Sequence, residues 1–376
     1  SAAGEPGLFG EVKLWNVADS ALVRTIVGHR DSLYAVAISA DGKLIATGGY
    51  DQEIKLWDAA SGQEVRTITG HNGAVFDLAF SPNGKLLASA SADRTVKLWD
   101  VATGNRLDTF GQPLKEQYAV TFSPDGRRVA AGGVDNRIRV WSLSDTAKEG
   151  TNPLAITRFA HEGAIIELAW SRDGKTLISS AEDRTVRVWD ADQVIERLSL
   201  PMQPDWPAAL ALAADNKTLL VGRLDGSFAL YDDTNGQVIP PPKPELAAIS
   251  PRGFERGRAT RVKLSGKNLL AARGVEFNNA HLQGKILAAD RERADEAWVE
   301  VTPAADLPRG TYQLAIVTDG GKSGTLPIEV DDLSQLTETE PNNAARQAAA
   351  VSLPAGIWGT LAARGDIDHV AFDAKA

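Results

Sequence analysis

From Tyr34 onward, short apolar runs of four to seven residues alternate with clusters of Gly, Asp, Asn, Ser and Pro. One stretch reads "YAVAIS", "LIATGG", "EIKLWD" and "EVRTIT" in succession. Runs of this length, rich in Val, Ile, Leu and aromatics and bounded by turn formers, predict β-strands rather than helices. The first three of each group are apolar on both faces, which suits strands buried on both sides, and the fourth is more polar and belongs at an edge. After the first strand comes Asp-Gly or Asn-Gly, as in "SADGK" and "SPNGK". That dipeptide predicts a tight hairpin in which both residues are left-handed.

The groups recur in strict register. The third strand ends in an aromatic at Trp15, Trp57, Trp99, Trp141, Trp189 and Tyr231, with successive steps of 42, 42, 42, 48 and 42 residues. The long step coincides with the extra segment "SDTAKEGTNP", so it is an insertion and not a loss of period. Four antiparallel strands in each period of about forty residues make one blade of a β-propeller. The expected fold is therefore all-β: a propeller over residues 1–239, with about six blades here and seven in the full protein. Residues 1–27 supply only the later strands of a blade, and the chain is expected to be truncated at its N-terminus. After "PPPKPEL" the period stops, and alternating strands with Gly and Pro turns predict a small β-sandwich over 240–331. Residues 332–376 are expected to be a linker and the start of a second, truncated sandwich.

Composition narrows the chemistry. With no cysteine among 376 residues, disulfides, thiolate metal sites and cysteine nucleophiles are excluded. The net charge of -9, with Lys and Arg scattered singly, argues against nucleic-acid binding through phosphates. No apolar run is long enough to span a membrane as a helix.

Three sets of residues look at first like catalytic machinery. His29, Thr47, Asp51 and Trp57 are repeated as His71, Ser89, Asp93 and Trp99, and again as His161, Ser179, Asp183 and Trp189. A hydrolytic triad needs one exposed nucleophile beside an oxyanion hole, and three copies tied to the fold period do not meet that need. The indole N–H donates, the hydroxyl both donates and accepts, the imidazole does both, and the carboxylate accepts. Together they predict a buried chain from Trp to Ser or Thr to His to Asp, which fastens strands together. The next group keeps Asp135 and Trp141 but has Ala131 for the hydroxyl, and the last keeps Asp225 but has Tyr231 for the tryptophan.

The Gly-His dipeptides at Gly28-His29 and Gly70-His71, the turn aspartates and the closing Trp-Asp resemble WD repeats. That resemblance implies a propeller, the structural tetrad, a role as a protein-interaction scaffold and no catalysis. The segment "ISPRG…LSGKNL" resembles an immunoglobulin-like IPT/TIG domain, and "EPNN…WGTL…GDIDHVAFD" resembles the opening of a pre-peptidase C-terminal (PPC) domain. The whole arrangement resembles planctomycete-type proteins in which a c-type cytochrome domain precedes WD repeats, implying a bacterial, extracytoplasmic setting. No Cys-x-x-Cys-His occurs here, so no haem and no other cofactor is assigned to this chain. Alternatives are an accessory region of a secreted hydrolase or a cytoplasmic signalling scaffold.

Candidate partner-binding residues come from the repeat register. Tyr34, Phe76, Tyr118, Ile166 and Ala208 begin the first strands, while Arg94 and Arg184 lie in turns at the same end. Trp206, between prolines in "PDWP", is a further candidate. A protein or peptide is the expected partner. Asp366, Asp368 and His369 form a weak candidate metal cluster, and Ser323 in "GKSGT" lacks the flanks of a nucleophile elbow.

Overall fold

The computed structural model describes residues 1–376 except 17–20, 112–114, 271, 288–294, 338–348, 351–354, 359–369 and 372–376. It divides into two compact units, Ser1–Ile239 and Pro240–Ala376.

Every described element of the first unit is a strand. Its first sheet holds β1 (Ala2–Glu5), β2 (Phe9–Trp15) and β3 (Leu22–His29). Five four-stranded antiparallel sheets follow, each in chain order. They are β4 (Leu33–Ile38), β5 (Leu44–Gly49), β6 (Ile54–Asp58) and β7 (Glu64–Ile68); then β8 (Val75–Phe80), β9 (Leu86–Ser91), β10 (Val96–Asp100) and β11 (Arg106–Phe110). The fourth sheet comprises β12 (Gln117–Phe122), β13 (Arg128–Gly133), β14 (Arg137–Ser142) and β15 (Leu154–Phe159). The fifth comprises β16 (Ile165–Trp170), β17 (Thr176–Ala181), β18 (Val186–Asp190) and β19 (Ile195–Ser199). The sixth has β20 (Ala209–Leu212), β21 (Thr218–Gly222), β22 (Phe228–Asp232) and β23 (Val238–Ile239).

Each hydrophobic core is shared by two successive sheets. Ile54 and Leu56 of the second sheet pack with Leu78, Leu87 and Trp99 of the third. Likewise Val96 and Leu98 meet Val129 and Trp141, while Ile138 and Val140 meet Leu177 and Trp189. This explains why the middle strands are apolar on both faces: each sheet is sandwiched between neighbours. The first strands β4, β8, β12, β16 and β20 lie side by side and form the inner edge of the array.

The hairpin turns differ from the expected two-residue form. Ser39 N–H bonds Leu44 C=O, so four residues lie between the closing pair, and only Gly42 is left-handed (φ 71°). Asp41 accepts from the Ser39 hydroxyl at 2.7 Å and the Lys43 N–H at 3.1 Å. Those bonds hold the aspartate in an ordinary conformation and leave the positive φ to the next residue. Gly84, Gly126 and Gly174 repeat this geometry, and Asn216 (φ 53°) takes the glycine's place in the sixth sheet.

The second unit contains two sheets that enclose one core. One has β24 (Glu245–Ser250), β26 (Thr260–Lys267), β29 (Glu296–Pro303) and β28 (Leu282–Leu287); the other has β25 (Gly253–Glu255), β32 (Leu326–Asp331), β30 (Gly310–Thr318) and β27 (Gly274–Phe277), with β31 (Gly321–Lys322) beside β30. Val262, Leu264, Val299 and Val301 of the first meet Leu314, Ile316, Ile328 and Val330 of the second. Two short parallel pairs follow, β33 (Ser334–Thr337) with β35 (Ala355–Trp358) and β34 (Ala349–Ala350) with β36 (Val370–Ala371). Ser323 is buried, donating to Gly324 C=O at 2.6 Å and accepting from Ile316 N–H at 3.0 Å. Asp366, Asp368 and His369 lie outside the described residues.

Candidate functional site

The three repeated sets come together inside the second, third and fifth sheets. In the third, Trp99 Nε1 donates to Ser89 Oγ at 2.8 Å, Ser89 Oγ lies 2.7 Å from His71 Nε2, and His71 Nδ1 lies 2.7 Å from Asp93. The carboxylate can only accept, so Nδ1 carries the proton, and the Ser89 hydroxyl donates to Nε2. The second sheet repeats the chain, with Trp57 to Thr47 at 2.8 Å, Thr47 to His29 at 2.7 Å and His29 to Asp51 at 2.9 Å. Thr47, Ser89 and Ser179 are 0% exposed, so none of these hydroxyls can meet a substrate.

Electrostatics follow from burial. Burial alone would raise the Asp93 carboxyl, but hydrogen bonds from His71 and Thr95 outweigh it and hold it well below the usual range. The His71 imidazole is pushed down by burial, against the pull of Asp93. Lys97 reaches Asp93 at 3.4 Å and donates to Gly70 C=O, adding a cation to the set.

The fifth sheet departs from the expected pattern. His161 Nδ1 bonds Thr185 Oγ1 at 2.8 Å, whereas Asp183 stands at 3.4 Å and instead holds Thr185 Oγ1 at 2.6 Å. The threonine hydroxyl intercepts the link from histidine to aspartate. Burial lowers the His161 imidazole to about 4, against the field of Asp183 and reinforced by that of Arg187.

The partner-binding candidates cluster in part. Tyr34 and Phe76 meet edge to face with centroids 5.5 Å apart, and Phe76 meets Tyr118 at 5.0 Å and 87°. The three rings form one row across the ends of β4, β8 and β12. Tyr34 is 52% exposed, and Phe76, Tyr118 and Ile166 are half-buried. Arg94 and Arg184 lie exposed in turns between second and third strands, both left-handed (φ 67° and 63°). Trp206 is 42% exposed, and its C=O accepts from Leu224 N–H at 3.0 Å; no ring contact joins it to the aromatic row.

The family described as IFT122 first beta-propeller matches residues 9–247, well over half of the sequence. The chain belongs to this WD40 β-propeller family. Three curated WD40-type relatives are similar over shorter stretches. A periodic tryptophan protein 2 homolog from Schizosaccharomyces pombe is 33% identical over 90 residues, 23% of this chain and 10% of the relative. The tRNA (guanine-N(7)-)-methyltransferase non-catalytic subunit trm82 from Aspergillus clavatus is 37% identical over 79 residues, 19% of this chain and 16% of its own. A guanine nucleotide-binding protein subunit beta from Saccharomyces cerevisiae is 26% identical over 71 residues, 19% of this chain and 17% of its own. The chain thus spans less than a fifth of the length of each.

One fastening in this WD40 unit escapes motif reading. In the sixth sheet, Gln203 occupies the register of the histidine, 42 residues after His161, and is 1% exposed. Tyr231 Oη donates to Gln203 Oε1 at 3.1 Å, and Arg223 donates to the same oxygen at 2.8 Å. Repeat spacing alone points to Gln203, although its residue type does not.

Proposed function

We propose that this WD40 propeller is a non-catalytic scaffold that docks a protein or peptide on the end of its sheets where the first strands begin. The row of Tyr34, Phe76 and Tyr118 carries this reading, because three touching rings near solvent form an anchor surface that burial in a partner would complete. Arg94 and Arg184 are exposed in the turns between second and third strands, at the end of their sheets where the first strands begin. The tetrad hydroxyls are consumed by packing, which removes the most reactive-looking groups from chemistry. The finer reading adds a seventh blade in the full protein, an IPT/TIG-like second unit followed by the start of a PPC-like domain, and an exported bacterial parent with an upstream cytochrome domain. It rests on sequence motifs, and the reading frame around this chain tests it. For docking, the full chain and a variant with Tyr34→Ala, Phe76→Ala and Arg184→Ala are compared in pull-downs after circular dichroism shows equal folding. Loss of specific partners is expected, and an unchanged set of partners overturns the proposal.

A further inference from the structure

We infer that Asn72 is a site of covalent self-modification: the Gly73 backbone nitrogen attacks its side-chain amide, and a cyclic imide then opens with water to aspartate and isoaspartate. The inference is independent of the docking role proposed above. Asparagine is most open to this chemistry when glycine follows it, because no Cβ crowds the attacking nitrogen. The sequence holds three such pairs, Asn72-Gly73, Asn83-Gly84 and Asn235-Gly236. As dipeptides they are equivalent, and the fold separates them.

Two of the pairs are locked in turns. Gly84 N–H donates to Ser81 C=O at 2.8 Å, while Asn83 Oδ1 accepts from the Ser81 hydroxyl at 2.8 Å and Lys85 N–H at 3.0 Å. Gly236 N–H donates to Asp232 C=O at 2.8 Å, and Asn235 Oδ1 accepts from Gln237 N–H at 2.8 Å. In both, the nitrogen that must attack and the amide that must be attacked are engaged elsewhere. Asn72 differs on both counts. It is exposed, and among the described residues nothing bonds its side chain or accepts from the Gly73 N–H. Packing fixes the glycine, since a Cβ at Gly73 would fall 2.7 Å from Asp93 N. The reactive pair thus lies against the tetrad, with Asn72 N–H donating to Asp93 Oδ2 at 3.1 Å.

In the first step the Gly73 nitrogen bonds to Asn72 Cγ, and Nδ2 leaves with its bonding pair as ammonia, taking up the Gly73 amide proton. Water then adds to one imide carbonyl, and the C–N bond there breaks, its electron pair and a proton returning to nitrogen. Opening at Cγ gives aspartate, which places a carboxylate where Glu162 already stands in the fifth sheet; Glu162 N–H likewise donates to Asp183, at 2.9 Å. Opening at the main-chain carbonyl gives isoaspartate, which adds a methylene to the backbone between the N–H held by Asp93 and the glycine packed on it.

The test ages the folded full chain in mildly alkaline buffer, beside a sample unfolded in urea, and follows each asparagine by peptide mapping that separates aspartate from isoaspartate. In the folded chain Asn72 is expected to convert on the order of 10-fold faster than Asn83 and Asn235, each of which must first break a turn hydrogen bond. In urea the three rates should converge. An intact Asn72, or equal rates at the three sites in the folded chain, overturns the inference. A rate difference that persists unchanged in urea also overturns it, because the selectivity would then belong to local sequence and not to the fold.

Discussion

The third and fourth sheets have the same four strands and nearly the same backbone, yet they solve the same polar problem with different chemistry. In the third, the Trp99 indole N–H is satisfied by Ser89, and the chain continues through His71 to Asp93. In the fourth, Ala131 leaves no hydroxyl; Trp141 stacks on Phe110 at 4.8 Å and 11°, and Asp135 pairs with Arg139 at 2.7 Å. Both tryptophans are 2% exposed. Burial of a large ring against the preceding sheet is thus the constant requirement, and the hydrogen-bonded chain is one way of meeting it. The sixth sheet supplies a third way through Tyr231, Gln203 and Arg223.

This contrast can be broken by substitution. Asp93→Ala leaves buried His71 without its carboxylate and should cost about 2–3 kcal/mol in denaturant titrations, the penalty for an orphaned buried partner. Asp225→Ala, at an exposed turn whose carboxylate accepts from Ser227 N–H, should leave the midpoint almost unchanged. Equal losses would show that the third sheet does not depend on its chain. A smaller difference separates the tryptophans. Trp99→Phe removes the donor to Ser89 as well as ring volume, and should cost about 1 kcal/mol more than Trp141→Phe, whose stack on Phe110 survives. The reverse order would mean that ring volume outweighs the hydrogen bond.

The smallest expected effects concern pH, and they run in opposite directions. His161 is held at about 4 in the folded protein against an unfolded 6.5, so the unfolded chain binds more protons between those values. That contribution is present above pH 6.5 and is lost as pH falls toward 4. Burial raises Asp77 to about 7, and burial with the Asp77 charge raises Glu167 to about 8; their contribution is present in acid and is lost as pH rises through 7 to 8. Glu167→Gln should therefore raise the thermal midpoint by a few degrees at pH 8 and by less at pH 6. Glu167 is the cleaner substitution, because both Asp77 oxygens accept backbone N–H groups. A midpoint gain that is the same at both pH values would remove the carboxylate pair from the account.

Much of the fold was legible before any coordinates. A 42-residue register names the strands, and the tetrad members can be paired by what each group can donate or accept. The turn at Asp41-Gly42 was less legible, since the dipeptide fits two hairpin geometries and the Ser39 hydroxyl chooses between them. In the candidate site, Tyr34, Phe76 and Tyr118 follow from register, but their contact does not. Ring contact depends on the spacing between neighbouring sheets, which periodicity does not specify.

By itself, the sequence determined the repeat, the strand order within each sheet and which positions are apolar. Those properties are local or periodic, set by turn residues and by the alternation of apolar and polar positions. Only the tertiary structure decided that Thr185 replaces Asp183 as the partner of His161, that the Gln203 side chain accepts from Tyr231, and that Tyr34, Phe76 and Tyr118 touch in one row. Trp15 shows the same limit: it shares the register of Trp57, yet it is 49% exposed where Trp57 is 4%. Trp57 lies against Gly28 of the sheet before it, and a side chain's burial is a property of the neighbour it meets as much as of its own position.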